Sequence, residues 1–144
     1  HLPFADGTFD AAVTSCTYAN RMADHHEAHD ASRRNTYRHA LNRPLHPDNA
    51  GQLQWSQAYR DFHLRAWTEA RRVLCPGGRL VLNLKNHIRD GVEQYVTEWH
   101  VQTLCNIGFT LVNEWRIACP GLRVGANSDK RVEFESVLLL RKEP

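Results

Sequence analysis

A helical period running from Trp55 to Leu74 breaks at Pro76-Gly77-Gly78 and gives way at once to the apolar run Arg79-Leu80-Val81-Leu82-Asn83-Leu84. Apolar side chains at Trp55, Tyr59, Phe62, Ala66, Ala70 and Val73 recur every three or four residues, which places them on one helical stripe. Arg60, Asp61, Arg65, Glu69 and Arg72 fall on the wet side. A helix that ends in a glycine turn and feeds a strand is the repeating unit of an α/β sheet, so this segment restricts the chain to that class.

The flanking segments extend the pattern. Asp6-Gly7 marks a turn, and Phe9 to Ser15 reads as a short strand whose apolar run suits a strand covered on both faces. Tyr18 to about Gln54 is polar, with five Arg, five His and the breakers Pro44, Pro47 and Gly51. A loop that long inside one domain, taken here as about residues 19–54, is usually functional or disordered. After the second strand come Lys85-Asn86-His87, then a second helix expected over Gly91 to Ile107 with Val92, Val96, Trp99 and Leu104 inward. Gly108 closes it, and Phe109–Ile117 and Glu133–Arg141 read as two further strands, consecutive and therefore antiparallel neighbours. Trp99 and Trp115 are expected in the core, with the long helix's aromatics.

Composition limits the function classes. The 144 residues, 42% hydrophobic and 24% charged, fit one soluble globular domain or one large piece of one. A net charge of +2 neither demands nor excludes a polyanionic partner. No apolar run approaches the roughly 20 residues needed to span a bilayer, and no signal peptide opens the chain. Cys16, Cys75, Cys105 and Cys119 are widely spaced without a Cys-x-x-Cys pair, and read as reduced thiols of a cytoplasmic protein. The opening His1-Leu2-Pro3-Phe4 lacks an initiator Met, and the sheet pattern leaves one edge bare; both lead us to expect a fragment, residues 1–144 being the C-terminal part of a single domain.

In open α/β sheets ligands bind beyond the carboxyl ends of strands. Ser15-Cys16-Thr17-Tyr18 occupies that position after the first strand. The approach Leu2-Pro3-Phe4-Ala5-Asp6-Gly7-Thr8 with the strand to Ser15 resembles the lead-in to the amino-group motif of DNA adenine-N6 and cytosine-N4 methyltransferases. That motif reads Asp/Asn/Ser-Pro-Pro-Tyr/Phe. Arg72 to Leu82 resembles the helix-turn-strand of class I methyltransferases, and Gly108-Phe109 with Glu135-Ser136-Val137-Leu138 resembles their closing antiparallel pair. The resemblance covers nearly the whole chain. It implies the C-terminal half of a Rossmann-like methyltransferase fold, a mostly parallel sheet ending in an antiparallel strand pair.

The implied chemistry is methyl transfer from S-adenosylmethionine to the exocyclic amine of a base in nucleic acid, DNA first. Such an amine is a poor nucleophile because its lone pair spreads into the ring. Two acceptors that bind its hydrogens free the lone pair and stabilise the positive charge that develops. By resemblance these are the side-chain oxygen of Ser15 and the carbonyl of Cys16, with Tyr18 stacking on a flipped base. Cys16 and Thr17 stand where the family has prolines. The resemblance also offers Phe4 as a wall of the adenine pocket. Partner motifs of the cytosine-C5 class are not seen, so Cys16 is not read as a nucleophile.

Asn20, Arg21, His25 and His26 follow the motif and are candidates for reading substrate; Lys85, at the end of the second strand, could line the same cleft. His25 and His29 have helical ligand spacing, but Glu27 is misplaced for a His-Glu-x-x-His site, and no metal is expected. Arg33, Arg34, Arg38 and Arg43, interleaved with Tyr37 and His39, read equally as a cluster that holds phosphate and stacks bases or as a solvated surface loop. A glycine-rich strand-to-helix loop and the acidic residue that binds the cofactor ribose are both missing, so the other half of the domain is the expected partner. Two alternatives stay open: an RNA or small-molecule methyltransferase of this fold, and a non-catalytic nucleic-acid-binding module.

Overall fold

The computed structural model describes residues 1–17, 19, 42–43, 46–119 and 132–144. The described elements are β1 (Phe9–Ser15), a 3-10 turn (Ala50–Gln52), α1 (Gln57–Val73), β2 (Leu74–Leu84), β3 (His87–Arg89), β4 (Val92–Gln94), α2 (Val96–Asn106), β5 (Phe109–Ala118) and β6 (Phe134–Lys142). Four strands form one sheet in the order β1-β2-β6-β5. β1 and β2 are parallel; β6 is antiparallel to both β2 and β5. The expected closing pair is therefore present, but the described sheet is not mostly parallel: β6 returns between β2 and β5, giving two antiparallel pairs to one parallel pair.

Alternation on two strands builds the core. Leu80, Leu82 and Leu84 of β2 face Leu140, Leu138 and Ser136 of β6 in register, and all six are buried. Trp67, Leu104 and Phe109 pack on the same layer. Each fully buried leucine contributes about 1.5–3 kcal/mol over its exposed state. α1 starts at Ser56, whose Oγ accepts the Tyr59 amide, and ends with Arg71 and Arg72 beside its negative pole. Its buried stripe is Tyr59, His63, Trp67 and Val73, so a histidine and a tryptophan stand where Phe62, Ala66 and Ala70 were expected to dominate. Arg72 ties the N-terminal segment to this helix, donating to the carbonyls of Leu2 and Phe4 and to the carboxylates of Asp6 and Glu69.

Three expectations need correcting. Strand β2 begins at Leu74 directly from the helix, and Pro76-Gly77-Gly78 lies inside it as an irregularity: Phe9 pairs with Leu74 but Ala11 with Arg79. Gly91 does not start a helix. Asp90 and Gly91 both have positive φ, 51° and 75°, and form the turn of the β3–β4 hairpin, so the helix begins only at Val96. The two positive φ values match a tight hairpin turn, for which Asp-Gly is a preferred sequence. Trp115 is 45% exposed on β5 rather than in the core.

β1 is one of the two edges of the described sheet and is exposed at every position except half-buried Ala12; Val13 is 76% exposed. The expected cover on both its faces is not supplied by the described residues.

Candidate active site

β1 ends at Ser15, and Cys16 and Thr17 follow it. Thr14, Ser15, Cys16 and Thr17 form one wall of a cleft of about 290 Å³; Ala50 and the α1 residues Phe62, His63, Ala66 and Trp67 form the other. Ser15 is exposed there, while Cys16 and Thr17 are half-buried. Across the ladder Ser15 pairs with Asn83, whose side chain donates to Glu135.

Behind this wall lies a chain of buried polar groups. The Trp67 indole Nε1–H donates to His100 Nδ1 at 2.9 Å. His100 Nε2 lies 2.9 Å from the Tyr59 hydroxyl, which donates to the carbonyl of Thr17 at 2.6 Å. Tyr59 and His100 are both 0% exposed. An indole N–H can only donate and a carbonyl can only accept. His100 Nδ1 must therefore be bare, and the single hydroxyl proton of Tyr59 is spent on Thr17. Both ends of the chain assign the proton of His100 to Nε2, which donates to the Tyr59 oxygen. His63 adds a second brace, its Nδ1 bonding the Tyr59 carbonyl at 2.9 Å as a donor.

Burial governs the ionisation of this cluster. It drives the Cys16 thiol up to about 12. It also raises the Tyr59 hydroxyl, with Cys16 adding to the effect. His100 falls to about 3, from burial first and neighbouring His63 second, and His63 is lowered by burial too. The groups are thus neutral near pH 7, and Cys16 is a protonated thiol poorly suited to nucleophilic attack.

Cys16, His63 and His100 bring potential ligand atoms within 4.8 Å of one another. Proton placement argues against a cation among them. Ligation through His100 Nε2 would move its proton to Nδ1, directly against the Trp67 N–H.

The other sequence-derived candidates separate. Tyr18, Asn20, Arg21, His25 and His26 lie outside the described residues. Lys85 follows β2 half-buried and is not among the described residues lining the cleft. Its neighbour Asn86 is structural: it accepts the Thr97 amide at the start of α2 and donates to Glu93 and Glu98. Phe4 is 46% exposed and packs edge-on against Phe9, at the opposite end of β1 from Ser15. Sequence reading missed His63 and His100 and took Tyr59 and Trp67 as plain core. The signal was the spacing of Tyr59, His63 and Trp67, three polar-tipped rings four apart on one buried stripe.

No family model matches the chain, and no curated protein does. Solved structures do. A Thermus thermophilus protein described provisionally as a DNA modification methylase aligns over 99% of this chain at TM-score 0.62 and 19% identity; another structure of that protein is complexed with S-adenosyl-L-methionine. The PvuII DNA methyltransferase, described as cytosine-N4-specific, aligns over 96% at TM-score 0.60 and 15% identity. The chain has a Rossmann-like methyltransferase fold. It spans about half the length of these proteins, 49% of the first and 44% of the second. The methyltransferase fold is not confined to methyl transfer by name: the [4+2]-cyclase SpnF aligns over 99% of this chain at TM-score 0.52 and 15% identity. Chemistry must therefore be argued from the site.

Proposed function

We propose that this chain is the acceptor-side half of an S-adenosylmethionine-dependent methyltransferase that modifies an exocyclic amino group of a nucleic-acid base, in DNA. The observation that carries this reading is the cleft at the carboxyl end of β1, walled by Ser15, Cys16 and Thr17 with the Thr17 carbonyl fixed from behind.

In this reading Ser15 Oγ and the Cys16 carbonyl accept the two amine hydrogens, drawing the nitrogen towards tetrahedral geometry. The neutral surroundings leave the developing positive charge on nitrogen stabilised by these two acceptors. Tyr18, Asn20, Arg21, His25 and His26 are assigned to base stacking and substrate contact on the strength of the resemblance, and Lys85 to the outer rim. S-adenosylmethionine supplies the electrophilic methyl group. The described cleft has no carboxylate in its lining to accept from ribose hydroxyls, so these residues fit the amine and not the cofactor. The resemblance offers Phe4 for the cofactor side, but Phe4 packs on Phe9 at the far end of β1 from Ser15, so we assign no residue of this chain to the cofactor. The grip on the cofactor falls to a preceding half of the domain, whose strand would cover the open edge of β1; the half-coverage of the solved relatives and the exposure of Val13 support this division. Four free thiols suit the reducing cytoplasm.

The replacement of the family's prolines by Cys16 and Thr17 favours one second reading, a small-molecule or RNA substrate. Tritiated methyl transfer by the full-length protein to DNA, RNA and free metabolites in parallel separates these. Label in DNA is expected. Label only in metabolites or RNA moves the assignment to the second reading, and no label in any pool removes the enzyme reading altogether.

A further inference from the structure

We propose that Trp67, His100 and Tyr59 form a positioning relay that stiffens the turn after β1 by hydrogen bonding, in the place where related motifs use prolines. The inference rests on the reading of that turn as the amine-binding turn.

Three observations support it. First, the relay ends on backbone: the Tyr59 hydroxyl donates to the Thr17 carbonyl, one residue beyond the carbonyl assigned to the amine. Second, every link has a single possible polarity. Trp67 donates to Nδ1, Nε2 donates to the Tyr59 oxygen, and Tyr59 donates to Thr17, so a rotation of any member leaves a buried group without its partner. Third, the members come from different elements. Trp67 and Tyr59 lie two helical turns apart on α1, and His100 projects from α2. The relay therefore references the turn to the packed helix pair rather than to its own neighbours in sequence.

Proline limits a turn by fixing φ within its own residue. A tyrosine held at its hydroxyl limits the same turn from outside. A group already oriented when substrate arrives pays no ordering cost at the moment of reaction, which is where catalytic sites gain most. Tyr59, His100 and Trp67 touch no reacting atom in this scheme; they act through Thr17.

The test is Tyr59→Phe in the full-length protein, which keeps the ring and removes the hydroxyl. Amide hydrogen exchange at residues 15–17 is expected to rise at least tenfold, while exchange in β2 and β6 stays within twofold. Turnover is expected to fall at least tenfold with the KM for S-adenosylmethionine unchanged within threefold. Trp67→Phe should move both readouts in the same direction by less. Nitrogen-15 NMR of the wild type should show His100 protonated at Nε2 and bare at Nδ1. Unaltered exchange at 15–17, an equal rise throughout the sheet, or a protonated Nδ1 overturns the relay. Should the wild type transfer no methyl group to any substrate, the functional reading falls, and the exchange and NMR data still decide the relay.

Discussion

His100 shows how one residue couples packing to the site. Its two nitrogens are committed in opposite senses, one accepting from Trp67 and one facing Tyr59, so protonation at low pH breaks the link to Trp67. The unfolded chain has ordinary histidines that gain protons near pH 6.5. The folded chain refuses that proton at His100 until about pH 3, and burial delays it at His63 as well. Stability contributed by the neutral rings is therefore complete above about pH 6.5 and is lost as pH falls towards 3. His100 thus lowers stability progressively as pH falls from about 6.5 towards 3. Urea unfolding at pH 7, 6 and 5 should show midpoints that fall step by step; equal midpoints at pH 7 and 5 would contradict the assignment. Nothing in the sequence announces this histidine. Its importance depends on Tyr59 and Trp67 meeting it from 41 and 33 residues away.

At the level of elements, the first strand, the first helix and the turns at Asp6-Gly7 and Gly108 were legible, and two other breaks were not. β1 is found where its apolar run places it, Phe9–Ser15, and α1 lies within the stretch marked by the three- and four-residue spacing. The β3–β4 hairpin escaped because a helical period was carried back through Val92, although Asp90-Gly91 is a hairpin signal. The irregularity at Cys75–Gly78 escaped because it depends on a partner strand: β1 advances two residues while β2 advances five. Gly78 shows what the irregularity demands of a side chain. A Cβ at that position would stand 2.8 Å from the Cys75 carbonyl oxygen and 3.3 Å from that of Asp10. Both are backbone atoms that cannot swing aside, so Gly78→Ala should cost about 1–3 kcal/mol, as overpacking does. Chemical denaturation measures it; a loss under about 0.5 kcal/mol, the range of ordinary surface substitutions, would mean the strand can shift.

For the whole molecule, the described sheet has two edges, β1 and β5, each paired on one side. Lys142 reaches back to the Leu74 carbonyl, and β2 and β6 are paired along both edges, whereas among the described residues β1 pairs with β2 alone and β5 with β6 alone. A bare parallel edge strand with Val13 in solvent is an aggregation hazard in a protein that leaves it so. In the full-length protein the proposed preceding half covers it. Val13→Asp should then destabilise the full-length protein by about 1.5–3 kcal/mol, the value of a buried valine. A change within about 0.5 kcal/mol would mean that the edge stays open.

The account turns on Ser15 as an acceptor for an amine rather than as the last residue of a strand. Steady-state methyl transfer to DNA by full-length Ser15→Ala, alongside calorimetric binding of S-adenosylmethionine, tests this most directly. Turnover is expected to drop on the order of a hundredfold, the scale seen when one preorganised partner of a developing charge is removed, with cofactor affinity preserved. Full turnover in the variant, or a variant that no longer folds, would contradict it.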